Sequence, residues 1–526
     1  MGEKLLSHLR SIVPDVAQAW LADDATGAGK LDSLKTWWDL VITEGTKLGY
    51  YVNESKSWLI LKNSSDLQIA EEMFENSGIR ITTSGKRHLG AAIGSQDFKS
   101  EYITDKVTKW CVELENLAKI AKSEPQAAYA AYIHGYQHKF RYFLRTIKDI
   151  EEELKPLDDV INNVLIPSIT GFQLSDAERN LFSLPVRLGG MGFDSMSSIA
   201  SDEFEYSKEL TAPLTALIIL QGETLPDTET VKNKKNAINK QKQVKLKQRS
   251  SDIHTSIPQN LKRNVEQACE QGASSWLNVL PLARHGFTLS KPEFQDALAL
   301  RYDKHISNLP SFCSCGAKFD VTHAMNCKRG GFINARHDNI RDFEASLLSQ
   351  VCHDVETEPQ LDPVTRNFFP RSANTSADAR LDIRSRGFWR RGQNAFFDVR
   401  VTNADCASQS NLPIRSVLKK HESEKKRAYN ERVMEVEQGT FTPLVFTVSG
   451  CMGPECTLFH KSLAEKISTK SGERYSDVIS FIRCKISFMC VKSALLCLRG
   501  SRSVSKKVLE AGNDFGLFNQ DLHLNT

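Results

Sequence analysis

The chain has 526 residues, of which 40% are hydrophobic and 25% are charged, and its formal net charge is +4. This length predicts roughly three or four domains of ordinary globular composition, and so mild a charge identifies no partner. The best apolar stretch, TAPLTALIIL, is half of the roughly 20 residues that a membrane span needs, and the N-terminus has no signal-peptide core. We therefore expect an intracellular protein, nuclear or cytoplasmic, without a membrane partner, whose 12 cysteines are mostly reduced thiols.

The first region, residues 1–98, mixes short strands with helices. In AWLADDATGAG, Asp23 and Asp24 follow an apolar run and precede a glycine-rich turn. This pattern predicts a β-hairpin with the two acids at its turn, packed on a helix near residues 31–40. The segments LGYYVNESKSWLIL, which contains Lys56, and ITTSGKRHLGAAIG come next.

The second region, residues 99–230, is predicted to be helical, because DKVTKWCVELENLAKIAKS has apolar residues at helical spacing. Residues 231–251 form a basic linker, in which VKNKKNAINKQKQVKLKQR has eight Lys or Arg and no acid. Two interpretations stay open. The run is a solvated linker, or Lys245 and Lys247 contact nucleic-acid phosphates, without aromatic residues for base stacking. A helical connector is predicted over residues 252–310.

A cysteine and histidine cluster marks residues 311–335. Cys313, Cys315, His323 and Cys327 have the spacing C-x-C-x7-H-x3-C. Three thiolates and an imidazole are the ligand set of a closed structural zinc site, and Gly316 permits the tight turn that such sites use. The first gap is one residue, where two to four is usual. The cluster predicts a zinc knuckle, with chance clustering of buried thiols as the alternative.

Residues 336–512 alternate helices with apolar strands, which predicts an α/β domain with a mixed central sheet. Asp382 in RLDIRS and Asp398 in NAFFDVRVTN each lie within a short strand-like run. Adjacent strands can hold two carboxylates at a fixed separation for Mg²⁺ beside a scissile phosphate. The alternative is that both acids form ordinary salt bridges with nearby arginines.

Basic residues surround these acids in the sequence. Arg400 lies two residues after Asp398 and therefore on the same face of the strand. Lys426 and Tyr429 are predicted to lie on the following helix. Upstream, Arg336 and His337 open an amphipathic helix, where they contact nucleic-acid phosphate or merely cap the helix.

In this order, CSCG, THAMNCKRGG, ARHDNIRD, RLDI, FFDVRV and KKRAYNERV resemble the C-terminal part of non-LTR retrotransposon proteins, over roughly residues 313–502. That part carries a zinc knuckle followed by a restriction-like endonuclease of the PD-(D/E)xK type. The resemblance implies that Asp382 and Asp398 are the metal-binding acids and that Lys426 and Tyr429 match the Lys and Tyr of the next helix. The Pro-Asp pair is absent, and Arg400 replaces a Lys although Arg cannot give up a proton as Lys can.

The N-terminal segments resemble parts of a reverse transcriptase. Asp23 and Asp24 match the acids of the palm hairpin, with Leu21 at its aromatic position, and Lys56 lies in what resembles the next palm motif. LPVRLGGMGF resembles a turn that follows the polymerase thumb. Two-metal nucleotidyl transfer needs a further Asp from an earlier palm strand, and no such strand precedes Asp23. The chain therefore resembles a truncated reading frame that starts in mid-palm.

Together these motifs predict a multidomain α+β protein with a partial reverse-transcriptase palm, a helical thumb-like region, a zinc knuckle and a restriction-like endonuclease domain. The expected function is that of a truncated retroelement protein that binds DNA and RNA and has Mg²⁺-dependent DNA endonuclease chemistry beside a structural zinc. Two alternatives stay open: a catalytically inactive nucleic-acid-binding remnant, and part of an RNA-directed DNA polymerase.

Overall fold

The computed structural model describes residues 2–222, 224–364 and 369–502 of the chain. The fold is mixed α+β, as the sequence predicts. The predicted C-terminal boundary at residue 512 lies outside the described residues.

Helices and strands follow one another along the whole described chain. Up to residue 222 they are α1 (Gly2–Ile12), β1 (Ala17–Leu21), β2 (Asp24–Ala28), α2 (Leu31–Lys47), β3 (Trp58–Ile60), α3 (Leu67–Met73), β4 (Arg80–Thr82), β5 (Gly85–His88), β6 (Ala91–Gly94), α4 (Gln96–Ala121), α5 (Pro125–Ala131), α6 (Gln137–Thr146), α7 (Lys155–Val160), α8 (Ile166–Thr170), α9 (Asp176–Phe182) and α10 (Met196–Ile219). Beyond it they are α11 (Thr228–Ser256), α12 (Gln259–Cys269), α13 (Lys291–Arg301), α14 (Val321–Asn326), α15 (Phe332–Ser349), β7 (His353–Thr357), β8 (Ile383–Arg386), β9 (Asn394–Thr402), α16 (Ile414–Glu435), β10 (Thr440–Thr447), α17 (Pro454–Ser471) and α18 (Tyr475–Arg499).

Internal contacts divide the chain into two compact units. Unit 1 contains residues 1–119, 131–166 and 194–252, and unit 2 contains residues 120–130, 167–193 and 253 onward. The predicted regions group differently, because the basic run belongs to unit 1 and two pieces of the thumb-like region belong to unit 2. The regions were predicted from changes in composition along the chain, and composition does not reveal which helices pack together. The predicted region boundaries therefore differ from the boundaries of the two units.

Unit 1 contains the predicted hairpin. β1 and β2 pair in antiparallel orientation with Leu21 opposite Asp24, so that Asp23 lies in the turn and Asp24 begins β2. The hairpin packs on α2, where the indole N–H of Trp37 donates to Gln18 Oε1 over 3.1 Å. The prediction that Asp23 and Asp24 occupy a hairpin packed on this helix is confirmed.

The basic run is part of a long helix, where the sequence suggested a linker. It lies within α11, a continuous helix of 29 residues. The run from 231 to 249 contains neither Gly nor Pro and is rich in Lys and Gln, which have good helix propensity. Lys245 and Lys247 are both exposed, and Lys245 forms an ion pair of 2.5 Å with Asp202.

Unit 2 is built on a four-stranded sheet with the order β10-β9-β8-β7. β10 is parallel to β9, whereas the β9–β8 and β8–β7 pairs are antiparallel, so the predicted mixed sheet is confirmed. Alternate residues of β9 point to opposite faces. Phe397 and Val399 join the large apolar core that includes residues of α15, α17 and α18, whereas Phe396 packs with Val433 of α16 on the other face.

In the described part of the chain, every helix is too short or too polar to cross a lipid bilayer.

Candidate metal and carboxylate sites

Four predicted metal ligands converge in unit 2. The ligand atoms of Cys313, Cys315, His323 and Cys327 all lie within 4.8 Å of one another. Cys313 Sγ lies 3.7 Å from Cys327 Sγ, and Cys315 Sγ lies 3.5 Å from His323 Nε2. The predicted convergence is confirmed, and the four side chains can hold one metal ion.

Local backbone geometry brings these ligands together. Gly316 has a φ of +91°, and the Cys313 N–H donates to the Ala317 carbonyl over 2.9 Å, which closes a tight turn around the first two cysteines. Asp320 caps α14 by accepting from the His323 N–H over 2.7 Å. The Cys327 N–H continues this turn by donating to the His323 carbonyl, so the last two ligands come from one helical turn.

The thiols sit in an environment that favours one thiolate. Burial acts to raise the pKa of Cys313, but the backbone N–H of Cys315 and the contacts with His323 and the other two cysteines outweigh it and lower this pKa to about 6. The pKa of Cys327 is raised, chiefly by burial. Thiolate rather than thiol is the metal ligand, so this arrangement prepares the cluster to hold a cation.

Asp382 and Asp398 form the second candidate site. Ile383, the first residue of β8, pairs with Phe397 of β9 in antiparallel register. One step further along this register places Asp382, which directly precedes β8, opposite Asp398. Asp382 just before the start of β8 therefore faces Asp398 at the middle of β9, which agrees with the prediction of two acids on adjacent strands.

Asp382 is held by the backbone of β9 and by a histidine. Its Oδ2 accepts from the Val399 N–H over 2.6 Å and lies 3.2 Å from His337 Nε2. The same Nε2 is 3.1 Å from the Val399 carbonyl oxygen, and His337 Nδ1 is 3.2 Å from Asp338 Oδ1. Both ring nitrogens thus face oxygen acceptors, which suits an imidazolium because both of its nitrogens donate.

The electrostatic environment agrees with a charged histidine. The hydrogen bond to Asp382 is the largest influence on His337, and it raises the pKa of that side chain to about 9 although burial opposes the rise. At neutral pH, His337 is therefore a cation beside Asp382.

Asp398 is 5% exposed and is neutralised by a lysine of α16. Its Oδ2 forms an ion pair with Lys425 Nζ over 2.5 Å. Burial raises the pKa of Asp398 to about 6, the Lys425 ammonium opposes the rise, and the Asp382 carboxylate adds to it.

The lysine at this site is Lys425, and the prediction of Lys426 is wrong by one residue. Lys426 Nζ instead pairs with Glu455 Oε1 of α17 over 2.6 Å. Tyr429 lies beside Lys425 on α16: the Lys425 ammonium is 5.7 Å from the centroid of its ring, and its hydroxyl accepts from Asn374 Nδ2 over 3.0 Å. Successive residues of a helix differ by about 100° in direction, so neighbouring lysines reach different partners.

A contact between two helices fixes the direction in which α16 presents Lys425. The Glu455 N–H, in the first turn of α17, donates to Glu422 Oε1 over 2.9 Å. A side chain at Gly453 would displace this carboxylate from its position. Because Glu422 is bound to α17, Lys425, three residues further along α16, is directed at Asp398.

The predicted arginines have other partners. Arg400 lies on the Asp398 side of β9, but its Nη1 pairs with Glu424 Oε2 over 3.0 Å. Arg336 is 3% exposed and donates to the Met325 carbonyl, so the prediction that it contacts phosphate is wrong. The amphipathic pattern of α15 does not reveal this burial, because it counts a charged residue as solvent-facing.

Asp23, Asp24 and Lys56 all lie in unit 1 and are exposed. Within the ranges that the structure describes, three or more His, Cys, Asp or Glu ligands converge only in the Cys₃His cluster. An ion held by Asp382 and Asp398 would therefore complete its coordination with backbone oxygens or water.

Two features of the carboxylate site escaped sequence reasoning: Lys425 and the Val399 carbonyl. The consecutive basic residues Lys425, Lys426 and Arg427 indicate that a cation lies near Asp398. The rotation of α16 about its axis decides which of the three side chains reaches that carboxylate. A backbone carbonyl carries no signal in the sequence.

Comparison of the chain with protein-family models and with curated proteins found no match.

The His337–Asp382 contact predicts a pH-dependent contribution to stability. The pKa of His337 is raised from 6.5 to about 9 in the folded protein. The stability that the contact contributes is therefore fully present below pH 6.5 and is lost as pH rises through about 9. We expect His337→Gln to lower the free energy of unfolding by about 1 to 3 kcal/mol near pH 6 and by much less near pH 10. Urea unfolding across this range measures the difference.

The exposed residue His305 offers the control, and His305→Gln should leave the pH profile of the wild type unchanged. A destabilisation by His337→Gln that is equal at both ends of the range would contradict a charged His337.

Proposed function

We propose that unit 2 is a zinc-stabilised, Mg²⁺-dependent DNA endonuclease in which Asp382 and Asp398 hold the magnesium. The observation that carries the proposal is the placement of these two acids opposite each other on neighbouring strands, with a cationic side chain bound to each. The proposal agrees with the resemblance of this part of the chain to the endonuclease region of non-LTR retrotransposon proteins.

The oxygens around Asp382 and Asp398 suit a hard cation. Two carboxylates and the Val399 carbonyl are the oxygen ligands that Mg²⁺ prefers. In the structure, His337 Nε2 lies within 3.2 Å of both Asp382 Oδ2 and the Val399 oxygen, so this donor occupies a position between two candidate ligands. When bound, Mg²⁺ would activate water and neutralise charge on the phosphate.

Lys425 supplies the basic group that the sequence did not locate. Arg400 cannot exchange a proton near neutral pH and is paired with Glu424, whereas Lys425 lies directly on Asp398. From this position its ammonium can orient water or stabilise negative charge that develops on the phosphate. Lys425 therefore takes the part that the resemblance assigned to Lys426.

We also propose zinc as the ion of the Cys₃His cluster. Four ligands at tetrahedral directions around zinc, with sulfur about 2.3 Å from the metal, place the sulfurs about 3.8 Å apart. The Sγ distances of 3.7 Å between Cys313 and Cys327 and 4.0 Å between Cys315 and Cys327 agree with this spacing. The site packs against α18 through a buried cluster that includes Cys497 and Leu498, which suits a structural ion.

For unit 1 we propose a partial reverse-transcriptase palm and thumb that binds nucleic acid. The hairpin that carries Asp23 and Asp24 supports this reading. Exposed Lys247 on α11 is available to a phosphate, whereas Lys245 would first have to leave Asp202. We do not propose polymerisation, because the metal chemistry of nucleotidyl transfer needs a further acid beside these two.

A second candidate function is that of a catalytically inactive nucleic-acid-binding protein. The observation that favours it is that both acids are already neutralised, Asp382 by His337 and Asp398 by Lys425. An inactive protein could retain such a network as an ordinary structural salt bridge. The two functions differ in whether metal and DNA displace these contacts.

Nicking of supercoiled plasmid in the presence of Mg²⁺ tests the endonuclease. We expect Asp398→Asn and Asp382→Asn each to reduce the nicking rate by at least about 100-fold, because each removes a metal ligand. Lys425→Ala should cost about 100-fold through loss of charge stabilisation.

The matched control is Lys426→Ala, one residue away on the same helix, which should nick at nearly the wild-type rate because Lys426 pairs with Glu455. Wild-type nicking by Asp398→Asn that has retained its zinc and its fold would sink the proposal, and no nicking by the wild type would favour the inactive protein.

Metal analysis by mass spectrometry tests the zinc assignment. We expect about one zinc per wild-type chain and a large loss in Cys315→Ser, because a hydroxyl is a poor ligand in a Cys₃His site. Cys315 is exposed, so its replacement removes little packing. Cys406→Ser, outside the cluster, is the control and should retain the zinc; a wild type purified without zinc in zinc-supplemented medium would refute the assignment.

A further inference from the structure

A cavity of about 430 Å³ lies beside the turn that joins β8 to β9, and we refer to it as the hairpin cavity. Its basic lining residues are His353, Arg386, Arg391 and Lys466, and its lining includes no acid. They come from β7, β8, the turn and α17. The cavity is separate from the carboxylate site, whose residues do not line it.

The charge around the hairpin cavity is only partly compensated. Arg386 pairs with Asp354, outside the lining, over 2.7 Å. Within the described ranges, no carboxylate lies within ion-pair distance of Arg391 or Lys466, although the Lys466 ammonium lies 5.8 Å from the ring of Phe388. Two cations therefore face one cavity without an anionic partner, an arrangement that favours an anionic ligand.

The remaining wall of the cavity is firmly held. Phe388 is buried in the core of unit 2, and the Trp389 indole N–H donates to Thr442 Oγ1 over 3.0 Å. Gly387 and Gly392, with φ of +93° and +78°, have open space where a side chain would begin. A ligand can thus approach the backbone of the turn closely.

We propose that the hairpin cavity binds a phosphodiester of a DNA strand at a position outside the carboxylate site. This choice of ligand rests on the proposed function, since a nuclease must hold its substrate on both sides of the scissile bond. Arg391 precedes Asp398 by seven residues, and at about 3.4 Å per residue the chain between them spans at most about 24 Å. The bound phosphate then lies within about seven nucleotides of the carboxylate site, at a rise of about 3.4 Å per nucleotide.

The test is the salt dependence of binding, measured by the fluorescence anisotropy of a labelled DNA duplex with the full chain and no Mg²⁺. Each phosphate contact adds about 0.9 to the slope of log affinity against log salt concentration. We expect the double substitution Arg391→Ala with Lys466→Ala to reduce this slope by about 1 to 2.

The control removes the same charge elsewhere on unit 2, through Lys461→Ala with Lys492→Ala, two exposed residues outside the cavity. It should leave the slope close to that of the wild type. We call the protein with Arg391→Ala and Lys466→Ala the cavity variant. An unchanged slope in the cavity variant, or an equal decrease in the control, would overturn the proposal.

Titration with inorganic phosphate separates a DNA site from a site for a free anion. Weak phosphate binding that the cavity variant abolishes, together with the reduced DNA slope, supports the proposal. Tight phosphate binding with an unchanged DNA slope shows a free-anion site and overturns it.

The outcome is independent of catalysis. If no protein nicks DNA but the cavity variant loses slope, the endonuclease proposal fails and the cavity assignment stands. If nicking depends on Asp398 but the cavity variant has the wild-type slope, the cavity assignment alone fails.

Discussion

The neutralisation of Asp398 is the interaction on which the rest of unit 2 depends. An ionised carboxylate that is almost fully buried is costly unless a cation compensates it, and a second carboxylate opposite adds to the cost. Lys425 lies on Asp398, and His337 lies on Asp382. Removing one member of a buried ion pair typically costs about 3 to 5 kcal/mol, because the other charge is left unpaired. The two acids are therefore stable at this place only together with the two cations.

The neighbouring helix is fixed so that this set can form. Glu422 binds the first turn of α17 and thereby sets the rotation of α16. Further along α16, the fully buried Arg432 donates to the carbonyls of Asp362 and Asn374, over 2.8 and 2.7 Å, and so ties the helix to the segment that leads to Asp382. The same helix thus positions Lys425 above one acid and anchors the chain before the other. If metal replaces these contacts, the cations are already beside the place where the phosphate charge must be stabilised.

The sequence predicts the parts of this arrangement that follow from local pattern. The alternation in NAFFDVRVTN reveals β9 and the side on which Asp398 lies, and the cysteine spacing reveals the Cys₃His cluster. The choice of Lys425 over Lys426 could not be predicted, because it depends on the contact between Glu422 and α17, which are 33 residues apart along the chain. The burial of Arg336 could not be predicted either, since a charged residue reads as exposed until the packing around it is known. The basic run in α11 shows the opposite error: its charge suggested a linker, whereas its helix propensity decided the structure.

Direct observation of a metal at the carboxylate site is the decisive measurement for the proposed nuclease. Mn²⁺ is a paramagnetic substitute for Mg²⁺, and its binding to the full chain can be followed by electron paramagnetic resonance while the zinc content is monitored separately. If Asp382 and Asp398 hold the metal, we expect one saturable Mn²⁺ site in the wild type that is lost in Asp398→Asn and retained in Cys406→Ser. Saturable Mn²⁺ binding that is unchanged in Asp398→Asn, or none at all in the zinc-loaded wild type, would contradict that assignment.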